Sequence, residues 1–188
     1  MRSGRSVGAL VGLVLVGLVI QVFVVRGSAT QAPTEEELEQ ARQDVTERKV
    51  IEEGEWLSVS KGSVGRWILG DGFAAPEVDG AWMTSDTARV EFSSPSGKTP
   101  TAVSLRLLPN VGPAKPSRTL VVYTSIDDQV LDLRGGTSEV TLALDGEQAS
   151  RVTLKCDSVE SPAQIGAGVD LRPLCIKLLA VEVTYDVG

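Results

Sequence analysis

Residues 7–25 carry no charge, and Gln21 is the one strongly polar side chain among them. At 1.5 Å rise per residue these nineteen residues make a helix about 28 Å long, close to the roughly 30 Å hydrocarbon core of a bilayer. A run this apolar hides its backbone polar groups in lipid only as a helix. Arg2 and Arg5 precede it, Arg26 follows, and acidic residues come soon after. The positive-inside rule then leaves the N-terminus in the cytoplasm and exports the rest of the chain, a single-pass arrangement at the cell membrane. The competing reading is a cleaved signal peptide, for which Gly27, Ser28 and Ala29 offer small residues. Against it stand the length of the apolar core and the charge at Arg26. Gly8 and Gly12 form a GxxxG pair, which suits close approach of two helices in a homodimer, although a glycine-rich span produces that spacing by chance.

Charge divides the chain at the same place. The whole carries −7, and residues 1–26 carry three arginines and no acid, so −10 falls on the remainder. An acidic exported part is not drawn to phosphate backbones, which argues against nucleic acid as a partner. Histidine is absent. That removes the Ser-His-Asp and Cys-His nucleophile systems and the usual catalytic zinc sites.

Residues 1–26 read as cytoplasmic tip and transmembrane anchor, 27–53 as linker and stalk, and 54–188 as an extracytoplasmic β-sandwich domain. In the stalk, Thr34 followed by Glu37 is a capping box, and Glu35 and Glu36 suit the positive end of a helix dipole. The helix is predicted to run from Glu35 to about Val50. Leu38, Ala41 and Val45 give only a thin apolar stripe, so it reads as a solvated spacer or a short coiled coil.

Beyond residue 54 the apolar spacing changes to period two. Strands are predicted at 55–60, 66–69, 87–92, 102–108, 118–124, 129–133, 139–144, 151–156 and 174–184, separated by Gly, Pro, Asp and Ser. Many short strands at this spacing predict an all-β, jelly-roll-like sandwich. Cys156 and Cys175 fall at the ends of two of them. Outside the cytoplasm such thiols often pair, which predicts a disulfide; the alternative is two buried free thiols acting as small hydrophobes.

The segment 68–83 holds turns, aromatics and carboxylates together, with four of the seven aromatics outside the apolar span lying between Trp56 and Trp82. Aromatic faces stack on the apolar side of a sugar ring while carboxylates accept its hydroxyl bonds. The bland reading is that Trp82 and Phe73 plug the end of the sandwich. Here the residues Gly72-Phe73-x-x-Pro76-Glu77-x-x-Gly80-x-Trp82, with the strand Ala88 to Phe92, and later Ser161-Pro162 and Asp170-Leu171-Arg172-Pro173-Leu174, carry a resemblance. They resemble a jelly-roll domain found with bacterial membrane glycosyltransferases and polysaccharide-synthesis proteins. The likeness spans roughly residues 66–185. It departs where Cys175 replaces the family's glycine, and the transferase body itself is missing.

The resemblance implies the fold and a glycan context, not transferase activity. The candidate ligand residues are Glu77, Asp79, Trp82, Asp170 and Arg172, with Arg172 placed to pair bidentately with Glu77 or Asp170 if the loops meet. Three functions follow. The first is a non-catalytic accessory module binding an envelope glycan or a membrane glycosyltransferase. The second is a scaffold component of an envelope complex. The third is a glycosidase using Glu77 with Asp79 or Asp170, which needs two carboxylates about 5–9.5 Å apart across a cleft. No catalytic residue and no cofactor is assigned. Structural calcium is chemically open, but Asp127, Asp128, Asp145 and Asp157 show no ordered ligand spacing.

Overall fold

The computed structural model describes residues 49–147 and 149–186. The apolar span at 7–25 with Gly8 and Gly12, and the stalk segment up to residue 48, lie outside the described residues. Among the described residues no helix is long and apolar enough to cross a membrane.

Among the described residues nine strands are formed: β1 Leu57–Ser58, β2 Ala81–Trp82, β3 Thr87–Ser93, β4 Thr99–Pro109, β5 Arg118–Tyr123, β6 Asp128–Leu133, β7 Ser138–Ala143, β8 Ala149–Cys156 and β9 Ile176–Asp186. They make two antiparallel sheets. One runs β1-β9-β4-β7 with β2 also on β9, and the other runs β3-β8-β5-β6. Leaving out the two-residue β1, the chain winds eight strands between two four-stranded sheets in the order of a jelly roll.

The alternation seen in the sequence decides which faces meet. Val103, Leu105 and Leu107 of β4 and Val140 and Leu142 of β7 are buried on one side. They face Val90 and Phe92 of β3, Leu120 and Val122 of β5, and Val152 and Leu154 of β8 across the interior. β9 keeps its apolar side inward by a bulge. Arg106 pairs with Ala180 but Leu107 pairs with Leu178, so Leu179 is skipped and the buried set passes from Leu178 to Val181.

Several predicted elements are corrected. The segment 66–69 is not a strand: Val64–Ile68 is a 3-10 helix. The hydroxyl of Ser63 donates to the carbonyls of Ser58 and Ser60 at 2.6 and 2.7 Å, turning the chain just before it, and the four residues Arg66 to Leu69 carry no alternation that would hold them extended. Predicted strand 55–60 shortens to Leu57–Ser58. The stalk helix does not reach Val50, which bridges to Ser93 beside β3. The packed body therefore begins before residue 54, with Ile51 only 1% exposed. An apolar Ile51 gains more from covering the sandwich than from extending a solvated helix.

Cys156, ending β8, and Cys175, just before β9, are joined in a disulfide with Cα atoms 6.5 Å apart. It closes the base of the loop 157–174.

Candidate functional site

Two turns at the disulfide end of the sandwich carry the predicted ligand residues. Glu77 and Gly80 close a tight turn, the Glu77 N–H donating to the Gly80 carbonyl at 2.7 Å. Gly80 has φ 153° and lies against β9, where a Cβ would strike the Leu178 carbonyl, so no side chain fits there. The facing turn is held by Asp170, which accepts the Arg172 N–H at 2.9 Å.

The side chains meet. Arg172 Nη1 lies 2.9 Å from Glu77 Oε1, and its Nη2 lies 2.6 Å from Asp170 Oδ2. Lys177 Nζ lies 3.0 Å from Glu77 Oε2 and 2.5 Å from Asp79 Oδ1. Trp82 stands opposite Lys177 in the β2–β9 pair, with the ammonium 5.1 Å from the centre of the indole ring. The five predicted residues are thus brought together, and Lys177 is the member that sequence reasoning omitted. Its side chain is 7% exposed. A charge that deep needs partners, and Glu77 and Asp79 supply them.

Electrostatics agree with a closed network. The hydrogen bond from Lys177, then that from Arg172, holds the Glu77 carboxyl below its ordinary range. Lys177 does the same to Asp79, and Arg172 to Asp170. For Lys177 itself burial pushes the pKa down, but Asp79 and Glu77 outweigh it and the net displacement is upward. Arg172 is raised by Asp170 and Glu77. Every member is spent on another member.

The loop that carries Asp170 is fixed from below. Arg118 is 0% exposed. It donates to the Asn110 carbonyl at 2.8 Å and the Ser158 carbonyl at 3.1 Å, and pairs with Glu160. Asn110 Nδ2 donates in turn to the carbonyls of Glu160 and Leu174 at 2.8 and 3.1 Å.

The open concavity lies elsewhere. A groove of about 650 Å³ crosses the solvent face of the four-stranded sheet, lined by Glu91, Arg151, Thr153, Tyr123, Ser125 and Asp145 with Lys49 at its edge. Glu91 stands opposite Arg151 across β3 and β8, and Thr153 opposite Tyr123 across β8 and β5. Tyr123 is 37% exposed. Glu91 takes Lys49 Nζ at 3.4 Å on one oxygen and Arg151 Nε at 3.2 Å on the other. Asp145 accepts from the Ser125 hydroxyl, which holds its carboxyl below the usual range, helped by the Glu147 N–H at 3.1 Å. A shallower hollow of about 470 Å³ continues past Tyr123 over Val121 and Ile126. None of these residues was singled out in the sequence as a glycan ligand, and Asp145 was considered only for calcium. The signal was present in the phase of β5, where Leu120 and Val122 point inward and leave Tyr123 outward.

Among the described residues no cluster of three or more acidic, cysteine or histidine side chains is arranged to hold a metal ion.

No family model matches the chain and no curated protein matches it. Solved structures give distant likenesses. A family two carbohydrate esterase from Clostridium thermocellum, in complex with cellohexaose, is 11% identical with a TM-score of 0.40, covering 64% of this chain and 32% of its own. The CBM36-1 domain of a multidomain xylanase from the hindgut metagenome of Trinervitermes trinervoides is 12% identical with a TM-score of 0.38, covering 63% of this chain and 89% of its own. A family 35 carbohydrate binding module from an environmental isolate is 14% identical with a TM-score of 0.34, covering 61% and 74%. The chain spans about a third of the length of the esterase. Likenesses this distant assign no function, and none of them links the chain to a membrane glycosyltransferase.

Proposed function

We propose that the chain is a non-catalytic glycan-binding module, held at the outer face of a membrane by residues 7–25 and serving envelope polysaccharide assembly. The observation that carries the reading is the groove on β3, β8 and β5, where one exposed tyrosine ring stands among hydroxyl, carboxylate and cationic groups. An aromatic face beside several oriented polar groups is what a sugar ring requires. The five residues at the clasp are better accounted for as a device that ties two turns together. The disulfide suits an exported domain.

Binding fits the groove better than bond cleavage. Glu91 is shared between two cations, and every described carboxylate whose pKa is displaced is displaced downward. A glycosidase needs one carboxyl raised to serve as acid.

A second reading, a scaffold that contacts a partner protein, draws on Val169 and Leu171 beside the clasp, which are 94% and 80% exposed.

The test is titration of the full chain in detergent with a panel of linear neutral hexasaccharides, read by saturation-transfer NMR. Saturable binding that falls about tenfold or more in Tyr123→Ala, and is unchanged in Trp82→Ala, supports the groove. Loss only in Trp82→Ala returns the site to the clasp. No binding by the folded chain leaves the scaffold reading.

A further inference from the structure

One wall of the groove does not come from the eight-stranded sandwich. Lys49 belongs to the linker, and it reaches the groove because segment 49–53 is laid along the open edge of β3. The Ser93 N–H donates to the Lys49 carbonyl at 3.1 Å, and the Ile51 N–H to the Ser93 carbonyl at 3.4 Å. The buried Tyr185 hydroxyl donates to the Ile51 carbonyl at 2.6 Å, and Lys98 Nζ reaches Glu53 at 3.3 Å. The seat is a short one. A parallel bridge at Val50 and Ser93, one buried isoleucine, the Tyr185 hydrogen bond and two ion pairs hold it, against the ten register pairs that join β4 to β9. Segments with so few backbone bonds open at far lower free energy than central strands.

Lys49 also sets the state of the groove. With the linker seated, Glu91 has Lys49 on one oxygen and Arg151 on the other, so both groups are aimed before any ligand arrives. With the linker lifted, Glu91 loses one partner, the edge of β3 is uncovered at Ser93 and Arg151 loses its fixed counter-ion geometry.

We infer that occupancy of the groove and seating of the linker on β3 are coupled, with Lys49 as the positioning residue that joins them. The inference rests on the glycan-binding reading of the groove. Coupling between two equilibria is reciprocal: a ligand that binds the seated form more tightly must favour seating by the same factor. Groove occupancy is thereby passed to the stretch of chain that leads back to residues 1–48, and whatever pulls that stretch off β3 weakens the ligand's hold.

The test uses the full chain and the hexasaccharide with the highest affinity in the panel above. Amide hydrogen exchange at residues 49–53 is expected to slow at saturating hexasaccharide. Lys49→Met is expected to weaken binding about fivefold or more, and Lys49→Arg to restore it. If the hexasaccharide binds, and Tyr123→Ala abolishes binding, yet Lys49→Met binds as tightly and exchange at 49–53 is unmoved, the coupling is overturned and the groove stands. If no hexasaccharide binds the folded chain, the groove reading fails and the coupling with it.

Discussion

The two ends of the sandwich set their charged groups in different surroundings. At the disulfide end Glu77, Asp79, Asp170, Arg172 and Lys177 bond to one another around Trp82, and the loop beneath is locked by Arg118, Asn110 and the Cys156–Cys175 bridge. At the other end the same kinds of group line an open groove, and Tyr123 keeps part of its ring in solvent. A concentration of charge and aromatics is therefore not by itself a binding site. Charged groups are paired at both ends, and what separates the two is the concavity beside an outward tyrosine, which the clasp does not have.

If that contrast is right, damage at the clasp end costs stability and damage at the groove end costs binding. The largest loss is expected for Arg118→Ala, which strands Glu160 and opens the loop beneath the clasp. Breaking a buried ion pair from one side costs about 3–5 kcal/mol, to be measured by denaturant unfolding of the full chain. Next comes Cys156→Ala with Cys175→Ala. Opening a bridge that spans 19 residues costs about 3 kcal/mol in the chain-entropy account.

Acid gives a graded version of the same test. The folded pKa values of Glu77, Asp79 and Asp170 lie below their ordinary 4.5, 3.8 and 3.8. Their stabilisation is complete above those ordinary values and is lost as pH falls through the lowered ones. Melting temperature should therefore hold steady from pH 7 to 5 and drop below about pH 4. The drop should shrink in Glu77→Gln, since that variant no longer gains a proton there. The smallest effect belongs to the groove. Tyr123→Ala is expected to change unfolding free energy by no more than about 0.5 kcal/mol, the range of an exposed substitution. A large loss of stability in that variant would erase the distinction between the two ends.

The sandwich was legible in the sequence because its apolar alternation is dense. Val103, Leu105 and Leu107 or Val140 and Leu142 leave little choice of face. Short segments without alternation were misread. The segment 66–69 coils into a 3-10 turn under local hydroxyl bonds from Ser63, and Ile51 joins the core from a stretch that reads as stalk. The five residues named as ligand residues from the resemblance of the turns lie together, but Lys177, which joins Glu77 to Asp79, was hidden inside an apolar strand. Of the groove, only the outward turn of Tyr123 was legible, in the phase of β5. Its members are spread over Lys49, Glu91, Tyr123, Asp145 and Arg151, and they meet only because β3, β8 and β5 are neighbours in one sheet. Period two tells which side of a strand a residue takes, not which strand lies beside it.

The last strand, β9, lies inside its sheet, between β4 on one side and β1 and β2 on the other. A chain synthesised from its N-terminus therefore presents β1, β2 and β4 with no partner between them until β9 has emerged. Cys175 directly precedes β9, so the covalent bridge to Cys156 also waits until that part of the chain has been made. Pairing Leu57 with Val181 joins residues more than a hundred positions apart, a topology that folds slowly for its size. During that interval the apolar faces of the first strands stand open, and the sandwich closes in a single late step, when β9 takes its place between them.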